Sequence, residues 1–272
     1  MRMRDKVAVV TGAGRGNGRA IAERLAAEGA HVVLGDLLAD EVTAVAREIE
    51  AAGGRATALR CDVSSPEEVE ALVAAAEELG GPHAMVAQAG ARHEGGLLAT
   101  TPEQWDAYMA VDLKGTYLCA RAAVPRMRRL GGGSIVTMSG TFAVVPEPGI
   151  AVQAAGKGAI LALTRAIAVE HGPDNIRCNA IVPGYIETPM VERWANDHPD
   201  PAAARHAVRS MHALRRLGAP EEIAAMALFL CSDESSFSSG HPFPVDGGLS
   251  VGMNNIYEFE ALRGNTGRGL DA

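Results

Sequence analysis

The chain has 272 residues, 47% of them hydrophobic and 21% charged, which suits one sizeable α/β domain or at most two small ones and excludes a disordered chain. Its net charge of −8 (25 basic against 33 acidic residues) comes without a basic stripe, which argues against nucleic acid or an anionic membrane as the main partner. No run reaches the ~18 apolar residues expected of a membrane span, and the charged stretch Met1–Lys6 leads straight into an apolar strand rather than a signal peptide. Cys61, Cys119, Cys178 and Cys231 lie more than 50 positions apart, with no metal-ligand spacing. They read as buried free thiols of a cytoplasmic protein, with no metal site.

In chain order, short apolar runs alternate with helical patterns. Strands are predicted at Val7–Thr11, His31–Asp36, Ala56–Cys61, Ala84–Gln88, Ser134–Ser139, Arg177–Val182 and Pro242–Val245. Their near-continuous apolar character fits a parallel sheet covered on both faces. Helices fit between them. Arg19–Glu28 puts Ile21, Leu25 and Ala26 on one face, Pro102–Arg129 opens with Thr101-Pro102-Glu103, and Ala151–His171 carries Ile160, Leu163 and Ile167 at helical spacing. The expectation is a Rossmann-like doubly wound sheet of about seven strands, forming one domain over residues 1–252 with a tail at 253–272. Residues 91–100, 142–149 and 185–217 read as irregular. The last is rich in charge, includes His198-Pro199-Asp200-Pro201 and reads as a mobile polar segment or a lid. The tail is either an ordered oligomer contact or a frayed end.

Thr11-Gly12-Ala13-Gly14-Arg15-Gly16-Asn17-Gly18 joins the first strand directly to the first helix. Glycines here permit a tight turn, close backbone approach to a pyrophosphate and close helix–strand packing, while the helix start supplies free N–H groups to the phosphates. Asp36 ends the second strand eighteen positions after Gly18, near the spacing of a carboxylate that grips the adenosine ribose. A carboxylate there repels a 2′-phosphate, so the cofactor expected is NAD. Arg15 keeps NADP as the alternative.

These features, with several others farther along, resemble the short-chain dehydrogenase/reductase family. Asp62-Val63 resembles the pair that contacts adenine, Pro183-Gly184-Tyr185-Ile186-Glu187-Thr188 the loop that receives the nicotinamide, and Val245-Asp246-Gly247-Gly248 the closing strand and turn. The resemblance spans about residues 5 to 250. It implies a cofactor set of Gly12, Arg15, Gly16, Asn17, Gly18, Asp36, Leu37, Asp62, Val63, Ala89, Gly90, Lys157, Pro183, Gly184, Ile186 and Thr188.

The same resemblance implies a reactive Tyr-x-x-x-Lys pair, a serine thirteen positions before the tyrosine and an asparagine on an earlier helix. Only Lys157 matches. The tyrosine position is Gln153, the serine position is Gly140, and the asparagine position is Asp112, in Val111-Asp112-Leu113-Lys114-Gly115. A glutamine amide has no proton-transfer equilibrium near neutral pH. A positioned general acid–base is worth about 10²–10⁴ in rate, so a simple tyrosine-type reductase is not expected. Replacements could come from His93 or Glu94 after the Ala89-Gly90 turn, from Glu147, or from Tyr185; Thr141 could stand in for the serine. His93 and Tyr185 are the candidates best placed by position.

Three functions follow from this mixture. The first is an NAD-dependent oxidoreductase acting on an alcohol or ketone through a rebuilt proton relay. The second is a lyase, isomerase or cyclase that uses NAD as a platform, and the third is a silent subunit of a mixed oligomer. The resemblance also implies a homotetramer or dimer formed through the helices at 102–129 and 151–171. Met190, Val191 and Trp194 hint at an apolar lid and a hydrophobic small-molecule substrate.

Overall fold

The computed structural model describes residues 1–93 and 95–252; Glu94 and the tail, residues 253–272, lie outside the described residues. Seven parallel strands form one sheet in the order β3-β2-β1-β4-β5-β6-β7. They are β1 (Val7–Thr11), β2 (His31–Asp36), β3 (Arg55–Arg60), β4 (Ala84–Ala87), β5 (Gly133–Met138), β6 (Ile176–Pro183) and β7 (Pro242–Val245). The order reverses direction between β1 and β4, the place where such sheets open a ligand crevice at their carboxyl ends. The seven-stranded Rossmann-like expectation holds.

Alternation along the strands divides the core in two. Ala8 and Val10 of β1, with Val32 and Leu34 of β2, pack with α1 (Gly16–Ala27), α2 (Ala39–Ala51) and α9 (Pro220–Cys231). Val7, Val9 and Val33 point the other way, toward α3 (Pro66–Glu78) and α5 (Gly115–Arg129). All four cysteines are free and buried, and burial pushes each thiol up to about 12.

Several bounds move. The predicted ends of β3, β4, β5 and β6 shift by one residue, because ladder register rather than the apolar run ends a strand. α1 starts at Gly16, not Arg19, since the last glycines of the turn already form its first turn. The helix expected over 102–129 is α4 (Pro102–Met109) and α5 joined by a π-turn at Ala110–Lys114, the wide turn that carries Asp112.

The segment 185–217, expected to be irregular, contains α7 (Pro189–Asp197) and α8 (Pro201–Ser210). Thr188 and Asp200 accept hydrogen bonds from Val191 N and Ala203 N, and a proline follows each as the first helical residue. The Thr-Pro and Asp-Pro pairs are helix starts rather than loop signals. α6 (Ala151–His171) has the bounds expected of it, and it begins a 24-residue stretch long and apolar enough on average, by length and composition, to cross a membrane. Its Ile160, Leu161, Ile167 and Ala168 are buried in this structure.

Candidate active site

At the carboxyl ends of the strands lies a cleft of about 740 Å³. Its cofactor-side wall is largely backbone. A Cβ on Gly12 would stand 2.8 Å from the Ala89 Cα, and one on Gly18 would stand 1.9 Å from the Gly12 carbonyl oxygen. The two strand ends and the first helix are therefore as close as glycine alone permits. The start of α1 has no side-chain cap and no acidic residue in its first turn, whereas α3 and α4 are capped by Ser65 and Thr101. Uncapped N–H groups at the positive end of a helix dipole suit a phosphate.

Asp36 is held by the turn itself. Its Oδ2 accepts from Gly14 N at 2.9 Å and its Oδ1 from Leu38 N at 3.0 Å, fixing the carboxylate at the cleft edge. The Arg15 guanidinium lies 3.8 Å from Glu41. Asp62 accepts from the Ser64 hydroxyl and amide, and these bonds hold its carboxyl below the usual range. Asn17 Oδ1 and Gln88 Oε1, on residues of the cleft wall, are buried acceptors with no partner among the described residues. A phosphate site, a ribose carboxylate and orphaned polar atoms together fit a dinucleotide. Of the sixteen residues expected to hold it, Gly18 alone does not line the cleft, being buried behind it as a packing position.

On the opposite wall the side chains are bonded to one another. Lys157 Nζ donates to Asp112 Oδ1 at 2.6 Å and to the Met138 carbonyl at 3.2 Å. The Asp112 side chain has no solvent exposure, and its other oxygen accepts from Ala91 N at 2.9 Å. One helical turn before Lys157, the Gln153 amide donates to the His93 carbonyl at 2.6 Å. Gly140 and Thr141 line the cleft beside them, while the hydroxyl of neighbouring Ser139 is spent on the Lys157 carbonyl. Tyr108, near Asp112, is buried and its phenol ionises only with difficulty, because burial and the Asp112 charge both push it up. Among the described residues no group of His, Cys, Asp and Glu could hold a metal.

His93 is not brought into the cleft. Its ring pairs with Thr100 Oγ1 at 2.9 Å and lies 6.5 Å from the Tyr108 ring, so only its carbonyl serves the site. The loop after Gly90 turns the side chain toward Thr100 and Tyr108, a direction that spacing does not encode. Tyr185 does face the cleft. Its hydroxyl donates to Glu147 Oε1 at 2.6 Å, with the rings of Phe142, Trp194 and His212 about it at 5.9, 6.1 and 6.1 Å. His212 escaped sequence reasoning. Burial lowers its pKa, its Nε2 accepts from Tyr185 N, and its Nδ1 bonds the Val208 carbonyl, which describes a neutral ring anchoring the loop. No motif flags it. Met190, Val191 and Trp194 line the cleft as expected, and Arg92 stacks 5.4 Å over the Trp194 ring.

This fold and site define a nucleotide-binding α/β enzyme of the dehydrogenase/reductase class. The family model described as enoyl-(acyl carrier protein) reductase matches residues 12–250, and the chain belongs to the short-chain dehydrogenase/reductase family. It is 41% identical to the short-chain reductase protein NovJ of Streptomyces niveus, over 90% of this chain and 94% of the relative. It is 38% identical to meso-2,3-butanediol dehydrogenase of Serratia marcescens, over 92% and 97%. Among solved structures, a short-chain dehydrogenase/reductase from Burkholderia xenovorans is similar with a TM-score of 0.88 at 35% identity, over 92% of this chain and 98% of that one. The family is one of nicotinamide-dependent oxidoreductases.

Proposed function

We propose that this protein is an NAD-dependent oxidoreductase that interconverts an alcohol and a ketone on an apolar small molecule, with a proton path rebuilt outside the tyrosine, serine and asparagine positions. The observation that carries this reading is the Asp36 carboxylate, fixed by two backbone amides at the cleft edge beside an uncapped helix start. It accepts bonds from two free ribose hydroxyls and repels a 2′-phosphate. Relatives named as a reductase and a diol dehydrogenase support the reaction class.

When bound, the nicotinamide supplies the hydride donor or acceptor. The chain's own residues do the rest. The glycine turn and the start of α1 hold the pyrophosphate. Lys157 uses two of its three N–H donors on Asp112 and Met138, leaving one for a ribose hydroxyl. Gln153 has its amide committed to the His93 carbonyl, so it shapes the wall and moves no proton. Met190, Val191 and Trp194 present the apolar face to the substrate.

Calorimetric titration of NAD⁺, NADH and NADP⁺ tests the reading. NAD(H) is expected to bind at least about tenfold more tightly than NADP⁺, and Asp36→Ala is expected to erase most of that gap, since hydrogen bonds to a charged group are worth about 1.5–3 kcal/mol. Binding of none of the three would overturn it. Binding of NAD without hydride transfer to any alcohol or ketone would favour platform chemistry or a silent subunit.

A further inference from the structure

We propose that Tyr185 and Glu147 form the proton relay of this site, Tyr185 touching the substrate oxygen and Glu147 taking the proton from behind it; this rests on the oxidoreductase reading above. The pair joins two loops that the sequence leaves apart. Tyr185 lies in the loop after β6 and Glu147 in the loop between β5 and α6; both line the cleft and a 2.6 Å hydrogen bond joins them. Phe142, two residues after Gly140, packs edge-on against the Tyr185 ring. The same cleft is lined by Gly140 and Gln153, the positions where the resemblance implies a serine and a tyrosine and where a glycine and a committed amide carry no titratable group.

Other groups in the cleft are less suited. Lys157 is paired with Asp112, and the His93 ring faces away. Two ionisable groups pack around the pair: His212, whose buried ring holds the Tyr185 amide, and Arg92, stacked over the Trp194 ring that neighbours Tyr185. A phenol hydrogen-bonded to a carboxylate is a two-member chain that passes a proton without either member leaving its place.

In oxidation, a secondary alcohol gives its C–H as hydride to the oxidised nicotinamide and its O–H proton to Tyr185 Oη. Tyr185 gives its own proton to Glu147 Oε1. The carbinol becomes a carbonyl, the cofactor is reduced, and one proton rests on Glu147 until water removes it. Reduction runs the same transfers backward.

The test has one arm free of turnover. The phenolate absorbance of wild type minus Tyr185→Phe isolates Tyr185, and in Glu147→Gln that titration is expected to move to lower pH because the neighbouring negative charge is gone. With NAD⁺ and 1-phenylethanol or cyclohexanol, Tyr185→Phe is expected to lower kcat about 10²–10⁴-fold with NAD⁺ affinity unchanged. Glu147→Gln, which keeps an acceptor for the phenol but no base, is expected to lower kcat with KM within about twofold, and Glu147→Asp to recover part of the loss. A Tyr185 titration that Glu147→Gln leaves unmoved overturns the proposal. So does a Tyr185→Phe enzyme that turns over like wild type. A wild-type enzyme that binds NAD⁺ yet transfers hydride to no alcohol or ketone overturns the oxidoreductase reading and the relay with it.

Discussion

Across the cleft, the wall built from β1, α1 and β2 presents backbone amides, glycines and one anchored carboxylate, whereas the wall built from β5, α6, the loop after β4 and the π-turn between α4 and α5 presents side chains already bonded to one another or to main chain. The first wall is specified by what must be absent: a Cβ at Gly12 or Gly18, a cap at the start of α1. The second is specified by partners that lie far apart in sequence, 45 positions between Asp112 and Lys157 and 60 between His93 and Gln153. A binding wall made of main chain tolerates little change and signals itself locally. A reactive wall made of side chains can be rewired while the fold stays the same.

The largest effect expected from breaking this contrast is at Gly18. Gly18→Val places a branched side chain where even a Cβ would overlap the Gly12 carbonyl, so α1 and the end of β1 must part. A loss of more than about 4 kcal/mol in urea unfolding is expected, together with loss of nicotinamide-cofactor binding. A stable, cofactor-binding Gly18→Val protein would show that the turn is not sterically determined.

Next comes the ion pair on the reactive wall. Asp112→Ala removes the partner of a Lys157 side chain that is only 15% exposed, at an expected cost of about 3–5 kcal/mol, read from the unfolding midpoint. Asp112→Asn keeps an acceptor and should cost less. If Asp112→Ala is neutral, the pair is incidental and the two walls differ less than described.

The smallest effect sharpens the comparison in the segment that joins α8 to α9. Arg216 makes two 2.7 Å bonds to Glu222, which also accepts from Ala219 N, and these partners, Arg216 foremost, lower the Glu222 carboxyl to about 2. The folded value lies below the unfolded one, about 4.3. The stabilisation is therefore fully present above the unfolded value and is lost as pH falls through about 2. Because both side chains are well exposed, Glu222→Gln should cost under about 1 kcal/mol at pH 7, and the difference from wild type should fade toward pH 2, as followed by thermal melts.

Much of this was legible before any coordinates. The strand–turn–helix spacing around Gly12–Gly18, the acid at the end of β2 and the alternation of apolar runs with helical patterns are local signals, each set by residues within one βαβ unit. So was Lys157 one helical turn after Gln153. The two helices of residues 189–210 were legible in principle through Thr188-Pro189 and Asp200-Pro201, though the polar composition around them reads as loop.

What the chain by itself determined is thus the sheet, the cleft's position at its switch point and the backbone wall, because periodicity, glycine sterics and helix ends act over a few residues. Only the tertiary structure decided where the site's side chains point: His93 onto Thr100, Gln153 onto a carbonyl, Asp112 onto Lys157, Tyr185 onto Glu147 with His212 beside it. Most of those choices depend on contacts between segments tens of residues apart, and nothing in local spacing carries that information.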